Sequence, residues 1–312
     1  MELMLIGKRI PIFNNFAYDN KSYRKCDGPL VHKAIFKTRK LLRTLQISRE
    51  SNRSAFSDSG EIPRLIVSLT TYPARFMTAE LAIRSILSQS LVPSEVHLWL
   101  GSDCDDVELP QQLLSLQEDG LFIHHVDGNI KGHKKYFYVL QEEHRLPVVT
   151  IDDDCIYPYD LLESLWFEHI KWPNAVIASR ARQILVDGWK IKPYNMWNPC
   201  FEEDCPVPRS SLLGVGVGGI LYPPHSLSNT AFNKELIYKL GAIETDDLWL
   251  KVMEMINGTK VVWARSSLAH PYLIETSQQS ALNNLNVERN NNDIVFKKLM
   301  DEFGLRDTSF GD

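Results

Sequence analysis

The sequence predicts an α/β domain in which helices flank a mainly parallel sheet. The chain has 312 residues, enough to bury a sizeable core. Its apolar fraction of 44% and its charged fraction of 23% are those of a globular protein. From about residue 64 onward, short apolar runs alternate with segments of helical period, which is the order that parallel sheets with helical crossovers require.

The first 60 residues differ in charge from the rest of the chain. They hold 12 Lys and Arg against 5 Asp and Glu, whereas the remaining residues hold 22 against 34. In residues 33–43 the cations are interleaved with Phe36, Leu41 and Leu42, as in a helix that lies on an anionic membrane or another polyanion. A solvated helix packed on the body is the alternative. Nucleic acid is not an expected partner, because the acidic body would repel phosphates.

The polar, Ser-rich residues 48–60 predict a linker after this basic segment. The chain thus divides into a basic N-terminal extension (1–60), an α/β domain (61–275) and a polar, partly helical C-terminal tail (276–312). No apolar run approaches the roughly 20 residues of a membrane span, and the N-terminus is charged too early for a secretory signal. We therefore expect a cytoplasmic protein whose basic extension makes peripheral contact with the inner face of the membrane.

The elements of the α/β domain follow from the period of its apolar residues. Strands are predicted for the apolar runs at 64–70, 95–100, 121–126, 147–151, 175–184 and 260–264, and for the glycine-rich stretch at 214–222. Helices are predicted for the segments at 77–89, 109–117, 133–144, 159–170, 234–240 and 246–256. Residues 187–209, rich in Trp, Pro, Asn and Cys, predict a long loop, and such loops in compact domains usually serve function.

Three carboxylates, Asp152, Asp153 and Asp154, directly follow the apolar run at 147–151. Ligands of open α/β sheets bind beyond the carboxyl ends of the strands, so a site is expected here. Alternation along a strand predicts that Asp152 and Asp154 point to one side and Asp153 elsewhere. Two like charges repel unless a cation bridges them, and Mg²⁺ or Mn²⁺, held by carboxylates and substrate phosphates, suits that arrangement. A solvated acidic turn is the alternative.

This acidic cluster and several other segments resemble the GT-A glycosyltransferases. The stretch IVSLTTYPARF, with LAIRSILSQS and EVHLWLGSD after it, resembles their nucleotide-binding half, and TIDDDCIYP resembles their DxD motif. GVGGILYP resembles their acceptor segment, and ETDDLWL resembles their xED segment. The resemblance covers about residues 64–272, with family 2-like motifs, and implies a Rossmann-like, mostly parallel sheet and an enzyme that uses a nucleotide-sugar donor.

The resemblance implies roles for residues at the ends of the strands. The donor-binding residues would be Thr70, Thr71, Tyr72 and Arg75 after the first strand, Asp103 after the second, and Asp152 and Asp153 of the acidic cluster. Asp152 and Asp154, with His270 as a third protein ligand, would bind a metal that bridges the donor diphosphate. Lys134 and Lys135 precede the acidic strand on a helix, where a cation could reach the diphosphate; two surface charges are the alternative.

The acceptor wall would be built from glycines and an aromatic residue. Gly218 and Gly219 interrupt a strand, which allows a ligand to approach the backbone closely; a tight bulge is the alternative. Trp197, in the predicted long loop, could stack on a sugar ring or bury itself against the sheet.

Asp246 and Asp247 are the candidate catalytic acids. In inverting GT-A enzymes the last acid of the matching motif deprotonates the acceptor hydroxyl, which selects Asp247. The departure from Glu-Asp to Asp-Asp leaves open which of the two acts. A structural alternative exists, because Thr245 suits an N-cap and the helix dipole stabilises acids in the first turn by about 0.3–1 kcal/mol each.

Together these segments predict a metal-dependent, inverting glycosyltransferase of the hexosyltransferase type. The donor would be a nucleoside diphosphate sugar, with UDP favoured, the cofactor Mn²⁺ or Mg²⁺, and the acceptor a glycan or lipid-linked glycan of bacterial surface polysaccharide such as lipopolysaccharide, O-antigen or capsule. Two alternatives remain. A nucleotidyltransferase that makes sugar nucleotides would normally carry a glycine-rich loop, which TTYPARF lacks. The other is a non-catalytic carbohydrate-binding protein on the same fold.

Overall fold

The computed structural model describes Thr38, Leu41, residues 64–142, 145–188, 190–200, 206–264, 271–274 and 291–306, and Phe310. The predicted basic extension, apart from Thr38 and Leu41, lies outside the described residues, as does the predicted metal ligand His270. The division of the chain at residues 60 and 275 therefore stays a prediction. In the part of the chain that the structure describes, no helix has the length and apolar character to cross a membrane.

A seven-stranded sheet forms the centre of the domain, as the sequence predicts. In spatial order its strands are β13 (Val261–Trp263), β6 (Val176–Ala178), β12 (Ile220–Tyr222), β4 (Val148–Thr150), β1 (Ile66–Thr70), β2 (Glu95–Leu100) and β3 (Leu121–His125). All neighbouring pairs are parallel except those of β12, which is antiparallel to β4 and β6. The strand order changes direction at β1, so the carboxyl ends of β1, β2 and β4 meet at one edge, where ligands of such sheets bind.

Helices cover both faces of this sheet. They are α1 (Phe76–Leu87), α2 (Gln111–Leu114), α3 (Lys134–Gln141), α4 (Leu161–Lys171), α5 (Lys234–Lys239), α6 (Asp246–Asn257) and α7 (Asn291–Glu302). The core on one face contains residues of α1 and α4 with Ile177, and the core on the other contains residues of α3, α6 and α7 with Val176 and Ala178. Successive residues of β6 thus enter different cores, as the period of a strand requires.

Helix α6 is buried from Leu248 to Glu254, directly after its two acids, which fixes its first turn. Leu248, Trp249, Val252 and Met253 are each at most 2% exposed, and full burial of such a side chain stabilises by about 1.5–3 kcal/mol. The helix ends at Gly258, whose φ of 73° lies in the left-handed region that glycine adopts without strain. The two acids of its first turn are therefore held on a rigid element.

Two predicted strands are each divided in the structure, so these predictions were wrong. Residues 214–222 form β11 (Leu212–Gly214) and β12, with a 3₁₀ turn, Gly216–Gly218, between them. Gly219, with φ 92°, redirects the chain there. Residues 175–184 form β6 and β7 (Ala181–Gln183); β7 leaves the main sheet because it pairs with β11 and with β10 (Asn198–Pro199) in a separate three-stranded sheet.

Other differences concern short elements. Residues 109–117 form only α2, which continues as a 3₁₀ turn, Ser115–Asp119. The predicted loop at 187–209 contains β10 and a hairpin of β8 (Val186–Asp187) and β9 (Lys190–Ile191). A further two-stranded sheet joins β5 (Cys155–Ile156) and β14 (Tyr272–Leu273). Period alone misses elements of two or three residues, because they complete no hydrophobic repeat.

Candidate active site

The acidic cluster lies in a turn and not in a strand. β4 ends before it, and Asp153 and Asp154 form the turn that leads into β5. Asp153 accepts hydrogen bonds from Thr71 Oγ1 at 2.6 Å and from Arg75 Nη1 at 2.8 Å. Asp154 Oδ2 lies 3.2 Å from the same arginine nitrogen. One guanidinium group therefore serves both carboxylates.

Asp152 is paired with a lysine. Its Oδ1 lies 2.8 Å from Lys135 Nζ, and its backbone N–H donates to Tyr157 Oη at 2.8 Å. Asp152 thus has a different cationic partner from Asp153 and Asp154, yet its charge raises the pKa of Asp154. Alternation along a strand does not decide the directions of these side chains, because the strand has ended before them. The predicted pairing of Asp152 with Asp154 stays a prediction.

The loop after β1 reaches the acidic cluster because β1 and β4 are parallel neighbours. Thr71 and Arg75 contact the carboxylates directly. The Arg75 guanidinium also lies 5.4 Å from the centre of the Tyr72 ring, within the range of a cation–π contact. Thr70 Oγ1 donates to the carbonyl of Trp99 at 2.8 Å and ties the loop to β2. The four residues predicted from this loop are thus together at one edge of the sheet.

The charge of the acidic cluster is only partly compensated by the protein. Burial raises the pKa of Asp154 to about 6, and Asp152 adds to the effect, although Arg75 opposes it. Burial also raises the pKa of Asp153 against the influence of Arg75 and Thr71. Carboxylates with uncompensated charge fit a divalent cation that completes its shell with phosphate oxygens. Within the described residues no group of three or more His, Cys, Asp or Glu could hold a metal ion alone.

The second pair of carboxylates opens helix α6. Asp246 Oδ2 lies 2.9 Å from Lys135 Nζ, the nitrogen that also binds the acidic cluster. Both oxygens of Asp247 accept from the backbone N–H of Gly216, at 3.1 and 3.2 Å. Thr245 occupies the N-cap position, but its side chain makes no capping hydrogen bond and donates to a carbonyl of the preceding turn. Thr245 is thus at the N-cap, where the sequence predicts it, but without a capping hydrogen bond from its side chain.

Asp246 and Asp247 differ in their affinity for a proton. Burial works against ionisation of Asp246, but Lys135, together with His133 when that ring is protonated, outweighs it and lowers the pKa of Asp246 below its usual range. Burial and the neighbouring Asp246 raise the pKa of Asp247 to about 7, although Lys135 opposes them. Adjacent acids whose pKa values are driven apart are a common arrangement for general acid–base catalysis. Asp247 is the member that can exchange a proton near neutral pH.

Gly216 is required by the close approach of these groups. A Cβ there would lie 2.9 Å from Asp247 Oδ1 and 2.9 Å from Lys135 Nζ, so no larger residue fits without displacing one of them. Gly132 also lies against the site, because a Cβ there would lie 3.3 Å from the Asp246 carboxylate. Both glycines let the backbone approach a charged side chain.

The predicted acceptor residues have other neighbours. A Cβ at Gly218 would lie 2.7 Å from the Arg180 side chain, and at Gly219 it would meet Leu161 at 3.2 Å, so close packing explains both glycines. Trp197 is 2% exposed, and its indole N–H donates to the backbone at 2.7 Å. The structure therefore buries Trp197 in the core, and stacking on a sugar is not available to it.

Asp103 and Lys134 flank Gly101 at the end of β2. A Cβ at Gly101 would lie 3.0 Å from the Asp103 carboxylate and 3.2 Å from the Lys134 ammonium. Lys134 Nζ donates to Asn129 Oδ1 at 2.6 Å. Burial lowers the pKa of Lys134, with Asp103 opposing the change. Asp103 is exposed at the carboxyl edge of the sheet, where the sequence predicts it.

Sequence reasoning missed four residues that the site uses. Gly216 and Gly132 allow close approach, and Tyr157 holds the backbone of Asp152. His133 is fully buried and contacts the carbonyl of Ala242, shortly before helix α6. For Gly216 the position within GVGG was a signal, because the resemblance already assigns that segment to the site. No pattern in the sequence distinguishes the other three from core residues.

The fold and the site define an α/β protein in which two groups of carboxylates meet at one buried lysine. No protein-family model matches the chain, and no curated protein matches it. Among solved structures, S. aureus TarS 1-349 is 15% identical with a TM-score of 0.44, over 78% of this chain and 72% of that chain. PcManGT, a mannosyltransferase from Pyrobaculum calidifontis in complex with GDP-Man and Mn²⁺, is 16% identical with a TM-score of 0.43, over 82% of this chain and 70% of that chain. At these values the functional conclusion rests on the geometry of the site.

Proposed function

We propose that this protein is a metal-dependent GT-A glycosyltransferase that moves a sugar from a nucleoside diphosphate donor to a hydroxyl of a glycan or glycolipid. One observation carries the proposal: Lys135 Nζ lies 2.8 Å from Asp152 of the acidic cluster and 2.9 Å from Asp246 of helix α6. Carboxylates from two distant segments therefore share one site at the carboxyl edge of the sheet. Glycosyl transfer requires such a division, with one group for the leaving diphosphate and another for the attacking hydroxyl.

The acidic cluster and the loop after β1 would bind the donor. Thr71 and Arg75 are fixed by Asp153, and Tyr72 adds a ring for the base or ribose. Asp154 and Asp152 would hold Mn²⁺ or Mg²⁺, and His270 remains the predicted third ligand. The metal supplies Lewis acidity toward the diphosphate. The chain itself orients the donor and balances the charge of the carboxylates through Arg75.

Asp247 would act on the acceptor. As the acceptor oxygen bonds to the anomeric carbon, the bond from that carbon to the diphosphate oxygen breaks and the nucleoside diphosphate leaves. The hydroxyl proton of the acceptor passes to an Asp247 carboxylate oxygen. The Gly216 N–H holds that carboxylate in position. Attack from the face opposite the diphosphate inverts the configuration at the anomeric carbon. The raised pKa of Asp247, about 7, supports this role, since a base with a pKa near the working pH is the most effective.

The remaining assignments are part of the same proposal. The donor nucleotide would be uridine diphosphate, and the acceptor a lipid-linked glycan of bacterial surface polysaccharide. Residues 1–60, with 12 Lys and Arg against 5 Asp and Glu, would hold the protein at the inner face of the cell membrane.

Melting temperatures with Mn²⁺ and a panel of UDP and GDP sugars test the donor site. A ligand at about 100 times its Kd stabilises by about 2.7 kcal/mol, which for a chain of this size raises the Tm by about 3–6 °C. Asp154→Asn should reduce the shift, and Asp247→Asn should keep it. The absence of any shift in the wild type across the panel would refute the proposal. A shift without hydrolysis or transfer would favour a non-catalytic carbohydrate-binding protein.

A further inference from the structure

Residues 131–135, here called the basic turn, contact residues 242–246, the segment that leads into helix α6. Lys131 pairs with Glu244, and the imidazole of His133 donates from Nε2 to the carbonyl of Ala242 at 2.9 Å. Gly132 lies against the Asp246 carboxylate. These contacts come from residues spread over the whole basic turn. The basic turn therefore positions the start of helix α6 through several contacts and not through one ion pair.

His133 is built to hold this contact without carrying charge. It is 0% exposed, and its Nδ1 lies 2.8 Å from Tyr136 Oη. Since a carbonyl can only accept, Nε2 carries the hydrogen. In the neutral ring Nδ1 is then an acceptor for Tyr136 Oη, which is closer to it than to its other acceptor, the carbonyl of Ala231 at 3.2 Å. Burial lowers the pKa of His133, although Asp246 opposes the change. Lys135 is then the one residue of the basic turn whose ammonium contacts Asp246.

Lys135 forms an ion pair with Asp246, whereas the hydrogen-bond donor to Asp247 is a backbone group. Its Nζ is 2.9 Å from Asp246, and its side chain is 6% exposed. Asp247, by contrast, has the uncharged N–H of Gly216 as its hydrogen-bond donor. The ionisable groups that act on the two acids are Lys135, His133, Tyr136, Tyr222 and Asp247 for Asp246, and Asp246, Lys135, Asp152 and Tyr222 for Asp247.

We propose that Lys135 is a positioning residue that gives the two aspartates different tasks. It holds Asp246 as a permanent anion and leaves Asp247 as the carboxylate that takes the proton of the attacking hydroxyl. The part of this inference that concerns the attacking hydroxyl rests on the proposed function. The part that concerns the ionisation of Asp246 and Asp247 rests on their contacts with Lys135 and Gly216. Lys135 is thus committed to carboxylates at both ends of the site and is not the free cation for a diphosphate that the sequence predicts.

Carboxyl-carbon NMR of the full chain between pH 4 and 9 tests the assignment directly. In the wild type, Asp247 should titrate near neutral pH and Asp246 should stay ionised. In Lys135→Met, which keeps an unbranched apolar stem but removes the ammonium group, Asp246 should begin to titrate as well. Lys135→Arg should restore the wild-type pattern. If Asp246 remains ionised to the same pH without the lysine charge, the proposal is wrong.

Lys251→Met is the matched control. Lys251 is a buried lysine of helix α6, the helix that carries Asp246. Its Nζ lies 3.4 Å from Glu254, and we assign it no role in the site. Its removal should affect stability but leave the titration of Asp246 unchanged. If it changes that titration as strongly as Lys135→Met does, the effect is general and the proposal fails.

Activity gives a second readout. With an active donor, we expect Lys135→Met to lower kcat by about 10²-fold, because misplacement of a catalytic group has that effect. The acid limb of its pH profile should move to higher pH, and the KM for the acceptor should change little. An unchanged acid limb would contradict the proposal. If no donor is turned over by the wild type, the proposed function fails, while the NMR result still decides the role of Lys135.

Asp246→Asn covers the case in which Lys135→Met does not fold. This variant removes the negative neighbour of Asp247 and leaves Lys135 paired with Asp152. The titration of Asp247 should then move to lower pH, because Asp246 no longer opposes its ionisation. A shift to higher pH, or none, would overturn the assignment of Asp246 as the permanent anion.

Discussion

Replacement of Gly216 by alanine tests the geometry of the site in the most local way. The added Cβ would lie 2.9 Å from both Asp247 Oδ1 and Lys135 Nζ. Overpacking a filled site costs about 1–3 kcal/mol, and disturbing a hydrogen bond to a charged group costs about 1.5–3 kcal/mol. The smaller entropy of the unfolded alanine chain offsets about 0.4–1 kcal/mol, so we expect the free energy of unfolding to fall by about 2–5 kcal/mol.

Gly214→Ala provides the control for this variant. Its Cβ would also meet an atom at 2.9 Å, but that atom is Cδ1 of Ile220, the flexible end of an apolar side chain. We expect a loss of about 1–2 kcal/mol from overpacking alone. Urea unfolding and the pH profile of transfer should be measured for both variants. Only Gly216→Ala should shift the acid limb of the profile to higher pH, because its N–H no longer stabilises ionised Asp247. Equal behaviour of the two variants would refute the reasoning.

Four further predictions concern ionisable groups of the site. Asp247→Asn should lower kcat by about 10²–10⁴-fold, the usual contribution of a general base, with donor binding retained in calorimetry. Wild-type transfer should rise with pH through about 7, where Asp247 loses its proton. Folding raises the pKa of Asp247 from 3.8 to about 7, so ionisation of this group opposes folding. The free energy of unfolding of the wild type, relative to that of Asp247→Asn, should therefore fall between about pH 4 and 7 and stay constant above pH 7. Arg75→Met should weaken nucleotide binding and lower the Tm, since it leaves Asp153 and Asp154 without their shared cation.

The main sheet and its helices were predictable because each element repeats its apolar period several times. β2 has the predicted bounds, Glu95–Leu100, and α6 differs from prediction by one residue. The division of 214–222 was not predictable, because it depends on the positive φ of Gly219 and on a 3₁₀ turn that packs against residues far away in sequence. Glycine content indicates an irregularity there but not its form.

The members of the site were predictable in part. The acidic cluster, the loop after β1 and the acids of helix α6 were found from strand ends and from the resemblance, and the structure brings them together. Their pairing was not predictable. Asp152 binds Lys135 while Asp153 and Asp154 share Arg75, and this follows from the end of β4 at Thr150, a boundary that sequence patterns locate only to within a few residues.

Release of nucleoside diphosphate from an active donor tests the central claim most directly. The wild type, Asp154→Asn and Asp247→Asn should be compared with Mn²⁺, a panel of nucleotide sugars and a glycan acceptor. The account predicts turnover of at least one donor by the wild type, weaker donor binding in Asp154→Asn, and retained binding with about 10²–10⁴-fold slower transfer in Asp247→Asn. If Asp247→Asn transfers the sugar as fast as the wild type, Asp247 is not the base, and the assignment of separate roles to the two groups of carboxylates is wrong.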